Sequence, residues 1–398
     1  MTTERPTIKL RPKTDPRRIR RGFPWVYANE LVTDRRTRAI APGSIVTLAD
    51  GGGDPLATAT INPNSKIIAR ILDGDSRAAI DRAWLDQRLS RAIDLRERLY
   101  DAPFYRLIHA EADGFPGVVI DRFGDAAVIQ PNAAWAEAKL DDIVDALADV
   151  TGVTTIVKNA SGRARALDGL DDQSGVLRGH LDGPIPVSMN GATYMADLEG
   201  GQKTGLFYDQ RPNHAFVARL AQGAEVLDVF SHVGGFALAT LAGGATHALS
   251  VDGSDAALSL AREGAAASGF GDRFETRTSD AFDALQALQD EGRRFGTVIC
   301  DPPAFAPSKQ ALDAGLRAYE KVARLAAPLV EDGGTLTLCS CSHAADLSQF
   351  RTASVRGIGR ARRASQLLRT GFAGPDHPQH PQLAESGYLK ALTFRLWS

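Results

Sequence analysis

Three cysteines occur in this 398-residue sequence, Cys300, Cys339 and Cys341, and all fall within one short stretch. That clustering is a poor basis for a disulfide framework, so their interest is as thiols. A thiolate is a nucleophile, provided it is accessible and its charge is supported. In Leu336-Thr-Leu-Cys339-Ser-Cys341-Ser-His343, Cys339 still belongs to an apolar run, whereas Cys341 lies just beyond it. Cys341 is therefore the candidate nucleophile, and Cys300 and Cys339 read as small buried hydrophobes. Taken alone, an inert cysteine is the competing reading of Cys341. His343 could assist deprotonation or cap the next helix, and the cap is favoured.

A second constellation, Thr297-Val-Ile-Cys-Asp301-Pro302-Pro303-Ala-Phe305, is a buried-type strand ending in an acid and two prolines. The prolines fix φ and stiffen the loop, which suits a surface that must hold a flat base beside a cofactor. Asp-Pro-Pro followed by an aromatic is a methyltransferase signature, but amino-methylating enzymes carry a close relative of it, so the methylated atom stays open. The thiol discriminates. Cytosine C5 is a poor nucleophile, and a thiolate added at C6 makes C5 enamine-like, able to accept a methyl group and then lose its proton. Asp301 could bond the ring N3 or the exocyclic amine of that base. A base held in folded RNA must first be extruded.

Cofactor candidates lie upstream. Val226-Leu-Asp-Val-Phe230 reads as a strand carrying Asp228, followed by Ser231-His-Val-Gly-Gly-Phe236, in which Gly234 and Gly235 open a helix. Ligands of doubly wound sheets bind at that carboxyl edge, where glycine lets the backbone approach closely. This is not the G-x-G-x-x-G dinucleotide fingerprint. The next strand ends in Asp252, placed to meet ribose hydroxyls, with Ser254 beside it; Asp280 sits where the following edge loop falls and suits an adenine contact. Helix N-capping is the alternative for each acid. Their common order and spacing favour an adenosine-type cofactor.

These loops need a scaffold. Beyond Gly223 strands and helices alternate: 225–230, 235–242, 247–251, 256–268, 297–300, 316–330 and 334–339. That alternation predicts a mostly parallel, doubly wound α/β sheet of Rossmann type. Upstream, short β-type runs at 45–48, 56–61 and 67–72, broken by Gly and Pro, predict a small β-barrel in residues 1–75. An amphipathic helix at 82–99, a hairpin over 117–130, an alanine-rich helix at 133–148 and a strand at 154–158 predict a central α+β domain in 76–185, leaving 186–398 to the catalytic domain.

Composition is that of an ordinary folded protein, 43% hydrophobic and 24% charged with a net charge of −2. No apolar run approaches a membrane span and no leader is evident, so the expected location is cytoplasmic. Charge is uneven: residues 1–40 hold eleven Lys or Arg against four acids, +7, leaving −9 for the remainder. Such a cluster can track a phosphate backbone, although a solvated face looks similar. The segment 351–369, with six arginines and no acid, is a second candidate for binding phosphates.

Nearly the whole chain resembles the bacterial 23S ribosomal RNA cytosine-C5 methyltransferases that carry an N-terminal PUA domain. The resemblance rests on five motifs in order: Lys9 to Leu31 with Gly22-Phe-Pro-Trp25; Ala110-Glu-Ala-Asp-Gly-Phe-Pro-Gly117 with Asp121-Arg-Phe-Gly124; Gly201-Gln-Lys-Thr-Gly205 with Tyr208-Asp-Gln-Arg211; the Asp301 and Cys341 loops; and Gly374-Pro-Asp-His-Pro378 with Glu385-Ser-Gly-Tyr-Leu-Lys390. It implies a class I S-adenosylmethionine-dependent fold, Cys341 as nucleophile, Asp301 as active-site acid, and a cofactor pocket drawn from Gln202, Lys203, Thr204, Asp209, Asp228, Phe230, Ser231, Gly234, Gly235, Asp252, Ser254, Asp280, Asp301 and Pro302. Without the resemblance, 202–205 would read as an exposed turn. The implied partner is ribosomal RNA, 23S favoured, with no membrane, no metal, and a homodimer left open. One departure stands out: the second cysteine of the wider class is replaced by Pro303-Ala304, so product release needs another base. Methylation of another RNA base, such as guanine N7, and a non-catalytic RNA-binding assembly factor are the competing readings.

Overall fold

The computed structural model describes residues 5–200 and 205–398. The described residues form two compact units: one within Met1–Gly183, Leu198–Gly205 and Asp376–Ser386, the other within Pro184–Asp197, Leu206–Pro375 and Gly387–Ser398.

The first unit opens with five strands, β1 (Thr7–Lys9), β2 (Trp25–Tyr27), β3 (Ile45–Ala49), β4 (Pro55–Ile61) and β5 (Ile67–Asp73), in the order β1-β3-β4-β5-β2. The two edges are stitched where Leu10 bridges Leu31, with Arg11 N–H donating to Glu30 O at 2.8 Å and Val32 N–H to Lys9 O at 2.9 Å. Closure removes the exposed edge that an open sheet would present. Alternate residues such as Ile8, Val46, Leu48, Ala59 and Ile68 fill the interior. A helix at Arg82–Leu99 then packs Trp84, Leu85, Leu89 and Ala92 against a second sheet of β6 (Phe104–His109), β7 (Val118–Phe123), β8 (Ala126–Pro131), β9 (Thr155–Lys158) and β10 (Gly175–Arg178), ordered β10-β9-β8-β7-β6. The alanine-rich stretch expected as one helix is two, Ala134–Ala138 and Leu140–Thr151, broken at Lys139, whose backbone leaves helical geometry. Acids of this unit hold arginines: the fully buried Arg96 pairs with Asp113 through two bonds of 2.8 and 2.7 Å and donates to Asp376 O at 3.0 Å, and the half-buried Arg106 pairs with the buried Asp121 at 2.7 Å. A buried guanidinium needs this saturation of its donors.

The second unit begins with a hairpin, β11 (Ile185–Met189) and β12 (Ala192–Ala196). Its core is a sheet of β13 (Glu225–Val229), β14 (His247–Asp252), β15 (Phe274–Thr278), β16 (Phe295–Cys300), β17 (Val330–Ser340), β18 (Ala364–Gly371) and β19 (Lys390–Trp397), ordered β15-β14-β13-β16-β17-β19-β18. β13, β14, β15, β16 and β17 pair in parallel, and β19 runs antiparallel to both β17 and β18. The order reverses between β13 and β16, the switch point at which such sheets bind ligands. Helices at Gly235–Ala242, Asp255–Ala267, Ala281–Asp290, Leu312–Ala326 and Leu347–Arg360 cover the faces, burying residues such as Leu227, Val229, Val298, Leu336 and Phe394. The helix expected over 316–330 ends earlier, at Ala326, because Val330 already begins β17. This is the mixed class I methyltransferase architecture with a small β-barrel ahead of it. No helix among the described residues is long and apolar enough to cross a membrane.

Candidate active site

β13 stops at Val229, one residue short of the expected Phe230, because Phe230 turns into left-handed backbone (φ 62°), as does His232 (φ 51°). A bulky residue adopts that conformation only when its surroundings over-determine it. Here Ser231 N–H donates to Val251 O at 3.1 Å, His232 N–H to an Asp252 carboxylate oxygen at 2.9 Å, and Gly234 N–H to Ser231 O at 2.8 Å. Gly234, itself at φ 79°, is the N-cap of the Gly235–Ala242 helix, and a Cβ on Gly235 would fall 2.9 Å from the buried His214 ring. The glycine pair therefore keeps a backbone cradle open at a helix N-terminus.

The acids divide by burial. Asp228 is 1% exposed and accepts from Ala237 N–H at 3.0 Å, fixing the helix start. Burial pushes its carboxyl up to about 8, and the negative charges of Asp301 and Asp252 add to that. Asp252 accepts from His232 and Ser254 N–H, both at 2.9 Å. The exposed Ser254 caps the Asp255–Ala267 helix through Ala257 N–H, and the exposed Asp280 caps Ala281–Asp290 by accepting from Phe282 and Asp283 N–H. So of the acids for which N-capping was the alternative, Asp280 is an N-cap, while Asp228 bonds the first turn of a helix whose N-cap is Gly234 and Asp252 holds the backbone of the two loops beside it.

Asp301 follows β16, its N–H donating to Val229 O at 3.2 Å, with Pro302 buried behind it. Gln210 Nε2 donates to Asp301 Oδ2 at 2.9 Å and Gln210 Oε1 accepts from Asn213 Nδ2 at 2.7 Å. Asp209, also buried, accepts from Tyr388 O–H at 2.6 Å. On the adjacent strand Cys300 pairs with Leu338, so Asp301 falls level with Cys339 and Cys341 stands two residues further along the same edge. Cys300 and Cys339 are buried and their thiols are pushed far up by desolvation, whereas Cys341 is partly exposed. The Cys341 loop is pinned from behind: Tyr319 O–H and Ser342 Oγ lie 2.6 Å apart, Ser340 O–H donates to Tyr319 at 2.9 Å, and Ala306 N–H donates to Ser342 Oγ at 2.9 Å.

Thus Asp228, Phe230, Ser231, Gly234, Gly235, Asp252, Ser254, Asp280, Asp301, Pro302 and Cys341 lie on the strand-end loops of one sheet edge, and Asp209 is next in sequence to Gln210, which bonds Asp301. Gln202, Lys203 and Thr204 lie outside the described residues. Sequence reasoning missed Tyr319 altogether and quoted Gln210, Tyr388 and Lys390 inside motifs without giving them a role. Lys390 also carries a signal of its own, as a charged residue opening a strand-like apolar run. An adenosyl sulfonium cofactor fits this edge. Asp209 Oδ1, Asp228 Oδ1 and Ser231 Oγ are buried polar atoms without a hydrogen-bond partner among the described residues, unused hydrogen-bonding capacity beside a glycine cradle.

The basic segments are partly committed. Arg18 pairs with Glu30 and lies 3.9 Å over the Phe23 ring, while Arg17 and Arg21 are exposed. In the second segment Arg356 and Arg360 pair with Glu320, Arg363 donates to the carbonyls of Ala327, Val330 and Glu331, and Arg369 donates to Pro212 O. Four of the six arginines are therefore engaged within the domain, Arg356 and Arg360 by tying one helix to another.

The fold and the edge define an S-adenosylmethionine-dependent methyltransferase preceded by a PUA-like domain. Family models agree: a PUA-like domain matches residues 8–73 and an S-adenosylmethionine-dependent methyltransferase matches residues 171–395. Ribosomal RNA large subunit methyltransferase I of Aliivibrio fischeri is 33% identical over 383 residues, 95% of this chain and 96% of the relative. That of Shewanella denitrificans is 34% identical over 395 residues, 98% and 99% respectively. The chain belongs to the ribosomal RNA large subunit methyltransferase I family. A solved structure from Streptococcus mutans shares the fold at TM-score 0.81 and 20% identity over 98% of this chain and all of that one, and SMU.776 complexed with SAH does so at 0.82 and 21%, over 99% of this chain and all of that one.

Proposed function

We propose that this protein methylates C5 of a cytosine in the ribosomal RNA of the large subunit, with Cys341 as nucleophile and Asp301 as the group that grips the base. The observation that carries this reading is the placement of a partly exposed thiol one strand away from Asp301 at the ligand-binding edge, while the other two thiols are buried. The relatives' names supply the substrate class, and the barrel of residues 8–73 is the PUA-like module expected to hold RNA.

S-adenosylmethionine, when bound, supplies an electrophilic methyl group on a sulfonium centre. The backbone loops after β13 and β14 would hold it, with Asp252 at the ribose, Asp280 and Phe230 at the adenine, and Asp209 at the amino-acid end. The chain's own work is at the pyrimidine. Asp301 orients the extruded ring through its N3 or exocyclic amine, and the Cys341 thiolate adds to C6, forming an S–C6 bond and raising electron density at C5. Once C5 is methylated, loss of its proton to a base re-forms the C5–C6 double bond and expels the thiolate. Pro303-Ala304 offers no second thiol for that proton. This chemistry belongs in the cytoplasm, where ribosomal subunits are assembled.

The test is nucleoside mass spectrometry of large-subunit RNA from cells lacking the gene, incubated with the protein and isotopically labelled S-adenosylmethionine. Label in 5-methylcytidine supports the proposal; label confined to 7-methylguanosine or another nucleoside overturns it.

A further inference from the structure

Lys390 is a cation where burial disfavours one. It opens β19 opposite Ser340 of β17, the residue before Cys341, and is only 5% exposed. Its ammonium donates to Ser342 O at 2.7 Å and Ala345 O at 2.8 Å, carbonyls of the loop that leaves Cys341. Neutral carbonyls satisfy its donors without cancelling its charge. A buried ammonium so placed is costly unless an anion stands near it.

Among the described residues few charges surround it. Burial lowers the Lys390 ammonium's proton affinity, and what opposes that is the charge of Cys341 first and of Asp346, the N-cap of the Leu347–Arg360 helix, second. From Leu312–Ala326, Tyr319 faces Cys341 with its hydroxyl already bonded to Ser340 and Ser342, and burial raises that phenol, keeping it neutral. From β16, Asp301 faces the thiol of Cys339, where its charge works against a thiolate. His343 is exposed, two residues on. Among the described residues, Lys390 is thus the cation on the neighbouring strand whose charge interacts with that of Cys341.

We propose that Lys390 is a positioning residue for the nucleophile: fixed on the Ser342 and Ala345 carbonyls, its ammonium holds Cys341 as a thiolate before any RNA arrives. The thiol proton leaves to solvent, Cys341 being only partly buried, and the ammonium keeps its own proton throughout. This rests on the reading of Cys341 as nucleophile and adds the group that makes it reactive at neutral pH.

The experiment is the pH dependence of iodoacetamide alkylation of Cys341, followed by peptide mass spectrometry on the full-length protein without RNA or cofactor, with Cys300 and Cys339 as buried internal references. Wild type is expected to titrate below the roughly 8.5 of an ordinary cysteine. Lys390→Met is expected to move that midpoint up by about one unit or more, making alkylation at pH 7 about tenfold slower, and Lys390→Arg to keep it low. A loop-tying role alone would leave the midpoint unmoved. A wild-type midpoint at or above 8.5 overturns the proposal even if Lys390→Met does not fold, and so does a folded Lys390→Met with the wild-type midpoint. A low wild-type midpoint alongside full methylation by Cys341→Ala would instead sink the nucleophile reading and leave the Lys390 effect standing.

Discussion

Gln210 Nε2 donates to Asp301 Oδ2 at 2.9 Å, and the direction of that bond is fixed from a backbone carbonyl. Asn213 Nδ2 donates to Phe372 O at 3.2 Å, which identifies it as the amide nitrogen; it also donates to Gln210 Oε1, so the Gln210 nitrogen must face Asp301. That N–H occupies one Asp301 oxygen and fixes the orientation of the carboxyl. Asp301 is thereby prepared to accept from a base amine, which cytosine has and uracil lacks.

Gln210→Leu should therefore lower kcat/KM for RNA about 10- to 100-fold, the worth of a hydrogen bond to a charged group, and leave S-adenosylmethionine affinity nearly unchanged. Gln210→Glu places a like charge beside Asp301 and should shift the acid limb of the rate profile to higher pH. An unshifted limb with wild-type kcat/KM in both variants would remove Gln210 from the account.

Asp228 makes stability depend on pH in an uncommon direction. Its folded-state carboxyl titrates near 8, against about 3.9 in an unfolded chain. Between those values the folded protein keeps a proton that the unfolded chain has lost, so stability falls as pH rises, by at most about 1.4 kcal/mol per unit from this group. Asp228→Asn, which still accepts from Ala237 N–H, should gain stability over wild type steadily from pH 5 to pH 7.5 in denaturant titrations without added cofactor. Parallel stability curves would contradict the assignment.

The glycine cradle gives a paired prediction. Gly234→Ala must hold φ near 79° at a cost of about 1–2 kcal/mol, and Gly235→Ala drives a methyl into the buried His214 ring, about 1–3 kcal/mol. Both should lower the unfolding midpoint and weaken calorimetric S-adenosylmethionine binding. Wild-type affinity in both would place the cofactor elsewhere.

Much of this edge is legible in sequence because it is local. Each edge residue sits at the end of an apolar strand and before a helix, so Asp228, Asp252, Asp301 and Cys341 announce themselves by period and by the turn residues that follow. β15 is harder to read: its Glu275-Thr-Arg-Thr278 side chains are exposed or half-buried and lack apolar alternation. β18 is hidden for the same reason, with exposed residues from Ala364 to Leu368. Gln210 and Lys390 act across 91 residues of chain to Asp301 and 48 to Ser342 O, and no local pattern encodes such pairings. The arginines of 351–369 mislead for a related reason, since partners such as Glu320 and Pro212 are distant in sequence.

At the N-terminus the exposed Arg17, Arg20 and Arg21, of which Arg20 pairs at the surface with Asp50 at 3.7 Å, differ from the structural Arg18. Replacing Arg17, Arg20 and Arg21 by Gln should weaken RNA binding and flatten the slope of log affinity against log salt by roughly 0.7–0.9 for each phosphate no longer neutralised. Arg18→Gln should instead lower stability, since Arg18 is already held by Glu30 and the Phe23 ring. An unaltered slope in the triple variant would mark the cluster as solvated surface.

The most direct measurement is methyl transfer by Cys341→Ala to unmodified large-subunit RNA, with cofactor binding followed on the same protein by calorimetry. The account predicts wild-type affinity for S-adenosylmethionine and methylation reduced at least about a thousandfold, because no other accessible thiol stands at the edge to attack C6. Methylation at the wild-type rate would contradict covalent catalysis at position 341.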